Sequence, residues 1–248
     1  GRQIHDSCPL VKFADDSCQI GKISKRNDTI YRNEVQKFVE WCESNYLHLN
    51  ASKTREMIID FSRTKNDAPE PVCINGEEVE RVDAHRYLGV NFDNKLTFQE
   101  NTSAIVNKVQ SRMYCLSKLR SFNVNSAILQ SFYSCAINSV LMYGVVCWGG
   151  HLTGRERGRI DKVIKKAGGV IGRRQETFDL VYERRLTDRT DKIVSDVTHP
   201  LRGEFDERRN ERSGRLRLPT RTQRYKDSFI PRAIVACNKK YTRGTDKI

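Results

Sequence analysis

No run of about 18 uninterrupted apolar residues occurs anywhere in the chain, so no segment meets the length a helix needs to cross a bilayer. The longest candidate, INSVLMYGVVCWGG, holds polar residues and reads as a buried helix. No signal peptide is visible, and neither a transmembrane segment nor a membrane partner is expected. The eight cysteines form no CxxC pair, which argues against a zinc site. Most lie in apolar runs, where a reduced thiol packs as a small hydrophobe, and the expected setting is intracellular, cytoplasmic and nuclear. Also missing are the GxxxxGK[ST] phosphate loop, the GxSxG elbow and the HExxH zinc motif, which removes the usual nucleotide-hydrolase, serine-hydrolase and metalloprotease readings.

Charge is present in abundance but unevenly. The 248 residues carry a formal net charge of +13. Residues 1–150 hold 18 Lys and Arg against 17 Asp and Glu, whereas residues 151–248 hold 26 against 14. Nearly all of the excess therefore lies in the last two fifths of the chain, which points to a polyanionic partner for that part or to a solvated basic tail.

Near the start, LVKFADDSCQIG places Asp15 and Asp16 between two short apolar runs. Alternation puts Val11 and Phe13 on one strand face and Lys12 and Ala14 on the other, which predicts a hairpin with adjacent carboxylates at its tip. Two such groups repel, a cost tolerated where a divalent cation neutralises them. A helix follows with Val35, Phe38, Val39, Cys42 and Tyr46 at helical spacing, expected to pack on the sheet holding the hairpin. A turn at 50–54 leads into REMIIDF, read as a strand with Met57, Ile59 and Phe61 on one face. Residues 63–71 read as a charged loop. VCINGEEV is a hairpin, because Asn75-Gly76 suits a tight primed turn. RYLGVNFD reads as a single strand with Tyr87, Gly89 and Asn91 on one face and Leu88, Val90 and Phe92 on the other.

Beyond Phe98 the period becomes helical. Ile105, Val109, Met113, Leu116 and Leu119 mark one helix. Asn125 caps a second, along which Ile128, Leu129, Phe132, Ala136, Val140 and Tyr143 recur to Gly144. Lys108, Arg112, Lys118 and Arg120 are their exposed cations. Thr153 caps a third helix, apolar at Ile160, Val163, Ile164 and Ala167 and basic at Arg155, Arg157, Arg159, Lys162, Lys165 and Lys166. Two shorter helices are expected over 178–185 and 188–197. The charged stretch after Pro200 is expected to be largely disordered as far as a short docked helix in TQRYKDSFIPRAIVACN.

The FADD box over 13–16 resembles the [YF]xDD box of reverse transcriptases. From there KFADDSCQIG, VQKFVEWCESNYLHLNASKTREMIIDF, RYLGVNFDNKLTF, YGVVCWGG and THPLR with RLPTRTQRYKDSFIPRAI follow in the order of the C-terminal part of a LINE-type (non-LTR) retrotransposon reverse transcriptase. The resemblance implies an α+β fold: a truncated polymerase palm of antiparallel strands plus helix over 1–95, with a catalytic hairpin and a primer-grip-like hairpin. An all-helical thumb-like pair over 96–150 and a basic helical C-terminal region with a partly disordered tail over 151–248 would follow. It implies RNA-directed DNA polymerisation by two-metal nucleotidyl transfer with Mg²⁺, Asp15 and Asp16 being metal ligands. The partners would be an RNA template and a DNA primer. Lys53 matches the family's lysine near the incoming triphosphate, and is otherwise an exposed turn lysine. Tyr87 and Gly89 would lie in the primer grip, Lys108 and Arg112 on the thumb, and Arg155, Arg159, Lys162, Lys165 and Lys166 on backbone phosphates.

Only ten residues precede Val11, so the family's upstream palm and fingers, with a further metal-binding Asp, have no counterpart here. A start at Gly1 agrees with a fragment, and the expectation is a chain inactive alone. The alternative is a non-catalytic nucleic-acid-binding remnant. Residues 35–61 are also similar to the N-terminal region of an AlkB-type tRNA-modifying dioxygenase or methyltransferase. None of the five histidines is followed two residues later by Asp or Glu, however, and no glycine-rich turn suits a methyl-donor nucleotide.

Overall fold

Strand signals in the first third of the chain produce separate two-stranded ribbons rather than one sheet. The computed structural model describes residues 8–24, 27–62, 69–210, 212–218 and 222–245, with side chains to 239. It divides into two units, Gly1–His85 and Arg86–Ile248.

In the first unit β1 (Leu10–Phe13) and β2 (Asp16–Gln19) form the expected antiparallel hairpin, with Phe13 opposite Asp16. Helix α1 runs over Thr29–Ser44. Its apolar face, Val35 and Val39, packs with Val72, Ile74 and Val79, the residues of the Asn75-Gly76 hairpin. That hairpin joins β4 (Cys73–Ile74) to β5 (Glu77–Glu78). Asn75 at φ 51° and Gly76 at φ 82° supply the left-handed pair a primed turn requires. The apolar stripe of α1 is thus shared: Val35 and Val39 pack on the Asn75-Gly76 hairpin, and Phe38 meets Lys12 of the Asp-Asp hairpin. Tyr46 also leaves the stripe: the helix ends at Ser44 and Tyr46 stands 91% exposed. A one-turn helix, Ala51–Lys53, leads into β3, which is only Arg55–Glu56. β3 pairs in parallel with β6 (Glu80–Arg81), where Arg81 donates twice to the buried Glu56 carboxylate at 2.7 and 3.0 Å. The strand expected through Phe61 stops at Glu56, and Ile59 and Phe61 are exposed. The 63–71 loop lies outside the described residues except for 69–71.

The division falls within β7 (Ala84–Tyr87), which forms a hairpin with β8 (Val90–Asp93). The single strand read through RYLGVNFD is corrected here, because Leu88 (φ 45°) and Gly89 (φ 83°) both turn left-handed and reverse the chain. Helix α2 (Gln99–Ser121) starts from a loop tied by Asp93, whose carboxylate accepts from the backbone of Lys95, Thr97 and Phe98. Next come α3 (Ser126–Phe132), a π-helical turn (Tyr133–Asn138) and α4 (Ser139–Leu141), all one rod. Its buried positions are Leu129, Tyr133, Ile137 and Leu141. Ile128 and Tyr143 of the expected stripe are exposed at 59% and 54%. Ile128 lies in regular helix beside the buried Leu129, and Tyr143 lies past the end of α4 at Leu141. Residues four apart drift by about 40° per step in an α-helix, and the wider turn cancels part of that drift, which keeps the buried positions four residues apart along the rod.

Helix α5 (Val145–Trp148) leads to α6 (Gly154–Ile171), which opens with a full capping box between Thr153 and Glu156. One helix, α7 (Phe178–Ser195), replaces the two short ones expected. Short helices α8 (Gly203–Asp206) and α9 (Gln223–Lys226) precede α10 (Phe229–Thr245). The expectation of disorder after Pro200 is corrected for the described residues. Phe205 is fully buried, Leu216 nearly so, and Arg209 bridges Leu216. Residues 211 and 219–221 lie outside the description. A single hydrophobic cluster takes residues from Val90 to Ile234, so the segments read as 96–150 and 151–248 share one core. Trp148 is its largest fully buried side chain, packed near Phe178 at 5.9 Å between ring centroids. No single helix among the described residues is long and apolar enough to cross a membrane.

Candidate functional site

The carboxylate hairpin is set by a two-residue turn. Ala14 takes φ 53°, and Asp15 follows at the tip with Asp16 opening β2; both carboxylates face solvent. On the opposite strand face Lys12 lays its Nζ 4.2 Å from the Trp41 ring centroid and 5.4 Å from Phe38, two rings that stack on α1. This cation–π contact, worth about 0.5–2 kcal/mol, fixes the hairpin against the helix. The aliphatic face of β1 is exposed instead, Phe13 at 63%.

Two adjacent carboxylates suit Mg²⁺, which binds through one or two of them and fills its octahedron with water and substrate phosphates. No group of three metal-binding side chains occurs among the described residues. Asp15 and Asp16 alone would leave most of an Mg²⁺ octahedron to water and other ligands, and two carboxylates at one tip are too few to fix two ions. Lys53 ends the one-turn helix with its side chain exposed, its backbone N–H donating to the Asn50 side chain at 3.0 Å.

At the second hairpin Gly89 sits at the tip and Tyr87 at the end of β7, half-buried. The Tyr143 hydroxyl donates to the Leu88 carbonyl at 2.8 Å, and a Cβ on Gly89 would come within 3.1 Å of the Tyr143 ring. Tyr143 in turn offers its carbonyl to the Trp148 indole N–H at 2.9 Å. This latch from core to hairpin tip was not legible in the sequence, since 55 residues separate its ends.

The basic residues divide by what they touch. Lys108, Arg155, Lys162, Lys165 and Lys166 are exposed. Arg159 is half-buried and reaches Ser103 Oγ at 3.4 Å. Arg112, expected to be exposed, donates instead to the Ala136 carbonyl in the π-helical turn. Arg157 is a clamp: it donates to the carbonyls of Gly149 (2.8 Å) and Leu152 (3.3 Å), pairs with Asp179 and lies over Phe178. Beside it the Gly150 backbone comes so close to Asp227 that a Cβ would fall 2.1 Å from the Asp227 carbonyl oxygen.

His151 packs on Phe98, with ring centroids 5.3 Å apart. Burial holds its pKa below the ordinary value of 6.5, and Arg224 and Arg232 act in the same direction against Asp227 and Asp93. The unfolded chain therefore takes up a proton near pH 6.5 before the folded one does, and stability falls as pH drops below 6.5. Thermal melts between pH 7.5 and 5.5 are expected to show a falling midpoint, with a smaller fall in His151→Gln. Equal slopes in both proteins would remove His151 as the cause.

No family model matches the chain. Over 146 residues it is 25% identical to a probable RNA-directed DNA polymerase from transposon X-element of Drosophila melanogaster, a match covering 56% of this chain and 16% of that protein. Its likeness is to RNA-directed DNA polymerases of transposons. A second such protein, from transposon BS of Drosophila melanogaster, is 24% identical over 144 residues, again 56% of this chain and 16% of the polymerase. The chain spans only a small part of the length of the polymerases it matches, and no solved structure matches it.

Proposed function

We propose that the chain is the C-terminal palm and thumb part of a LINE-type reverse transcriptase. In this reading Asp15 and Asp16 hold catalytic Mg²⁺, and the helical unit grips the template-primer duplex. The similarity to two transposon RNA-directed DNA polymerases carries the reading, and the paired carboxylates at a hairpin tip give it a chemical centre. When bound, the metal would supply charge neutralisation at the transferring phosphate. The chain's own residues would hold it and, through Lys53, offer a proton to the leaving pyrophosphate. The Leu88-Gly89 tip would meet the primer end.

Duplex binding is supported by charge. Residues 101–150 contain no acidic residue at all, and α6 adds exposed cations. Each phosphate contact releases counterion, with log K falling against log salt by about 0.9 per contact on duplex DNA. Five contacts by Lys108, Arg155, Lys162, Lys165 and Lys166 give an expected slope of about −4 to −5. Replacing Lys162, Lys165 and Lys166 by Ala should flatten it by roughly 2.7. A titration of labelled duplex at several salt concentrations reads both; an unchanged slope makes α6 a solvated face. Little sequence preference is expected, because phosphate contacts carry no base information. The rival reading, a binding remnant without catalysis, shares this slope and differs in primer extension.

A further inference from the structure

A cleft of about 290 Å³ lies on the helical unit, lined by the π-helical turn on one side and by the α6–α7 connection on the other. Its volume is at the lower end of ligand sites, about 300–1,000 Å³. The wall residues are polar almost throughout, with Val181 the apolar exception. Gln130 and Gln175 face each other with their amides joined by reciprocal hydrogen bonds at 3.1 and 2.8 Å. Tyr133 is 4% exposed yet lines the cleft. Asn138, half-buried on the same turn, lines it as well.

The charges at the rim are not balanced. Glu176 is neutralised by Arg184, which grips both its carboxylate oxygens at 2.5 and 2.9 Å. Arg173 and Arg174 are exposed, line the same cleft and pair with no carboxylate among the described residues. Guanidinium forks select phosphate by geometry as well as charge. Amides and a hydroxyl beside them suit the polar edge of a nucleobase. The cleft interrupts a helix at a π turn, a distortion often found at functional sites.

We propose that this cleft binds one nucleotide unit of a single-stranded nucleic acid, the phosphate on Arg173 and Arg174 and the base edge against Tyr133, Asn138 and the Gln130–Gln175 pair. The site is distinct in its residues from the exposed lysines of α6 that are assigned to duplex. It takes the choice of ligand from the polymerase reading, but its failure and the failure of that reading appear in different measurements.

The test is fluorescence anisotropy with the whole chain, using a labelled single-stranded ten-nucleotide probe and a labelled duplex in parallel. Arg173→Ala with Arg174→Ala should weaken the single-stranded probe by about tenfold or more, two charge-assisted contacts being lost, and leave duplex affinity within about twofold. Ser134→Trp fills the cleft without changing any charge and should weaken the single-stranded probe similarly; circular dichroism establishes that each variant is folded. A nucleoside monophosphate should compete for the single-stranded probe better than inorganic phosphate. The proposal is overturned if Ser134→Trp, folded, binds the single strand like the parent chain, or if the arginine variant weakens both probes equally. Equal competition by inorganic phosphate would reduce the cleft to an anion site and overturn the nucleotide assignment. Loss of duplex binding in the α6 variants with the single-strand result intact leaves the cleft standing on its own.

Discussion

A chain cut after Gly150 is expected not to fold its helical unit. The cut removes Ile160, Ile164, Ile171, Phe178 and Tyr182 from the cluster that buries Val109, Leu116 and Trp148. Each such side chain contributes about 1.5–3 kcal/mol when buried, and whole domains are stable by only about 5–15 kcal/mol. Losing five or more therefore exceeds what the unit has in reserve. Circular dichroism should show reduced helix and no cooperative melt, with a dye for exposed apolar surface binding strongly. In the intact chain Trp148→Ala, which also abandons the indole bond to the Tyr143 carbonyl, should cost about 3–5 kcal/mol by denaturant titration. A cut chain that melts cooperatively would mean that residues 86–150 carry their own core. Charge is therefore tested by point substitutions on α6, which change the field without removing the core.

The second large effect concerns Asp15. Alone, the chain is expected to show no Mg²⁺-dependent primer extension, because two carboxylates at one tip cannot fix two ions about 3.5–4 Å apart. Joined in frame to the preceding part of a transposon RNA-directed DNA polymerase, it should extend a primer, and Asp15→Asn should lower that rate more than about 100-fold, beyond the loss typical of residues that only support a metal ligand. The substitution keeps size and shape at an exposed tip, so the melt should not move and duplex affinity should stay. Synthesis by the isolated chain that Asp15→Asn abolishes would show that the hairpin needs no outside carboxylate. A joined chain indifferent to Asp15→Asn would sink the metal assignment and leave the binding remnant.

What could be read in the sequence was what is decided locally. Asn75-Gly76 makes its turn from two adjacent residues, Thr153 caps α6 with a partner three residues on, and Asp15-Asp16 lies between strands of four. Features decided at a distance were misread. Leu88-Gly89 looks like the middle of an alternating strand, and what holds the turn is Tyr143. Arg112 and Arg157 look like surface cations until Ala136 and Gly149 present their carbonyls to them. Along 126–141 the helical period finds Leu129, Phe132 and Val140 on the core, but it misses Tyr133, Ile137 and Leu141, which a turn that widens brings into line with Leu129. The nucleotide cleft draws on three separate segments, none with a motif of its own.

The widened turn also sets a rule about chain length. Taking one residue out of a regular helix such as α2 or α6 would swing everything after it by about 100° and draw it back by about 1.5 Å. Between Tyr133 and Asn138 the wider winding has already absorbed one residue. Removing one there would restore regular α-helix and leave Leu141 and the Gly144 break near their present angle about the rod. A change of one residue in length should therefore be tolerated better at this turn than anywhere within α2 or α6.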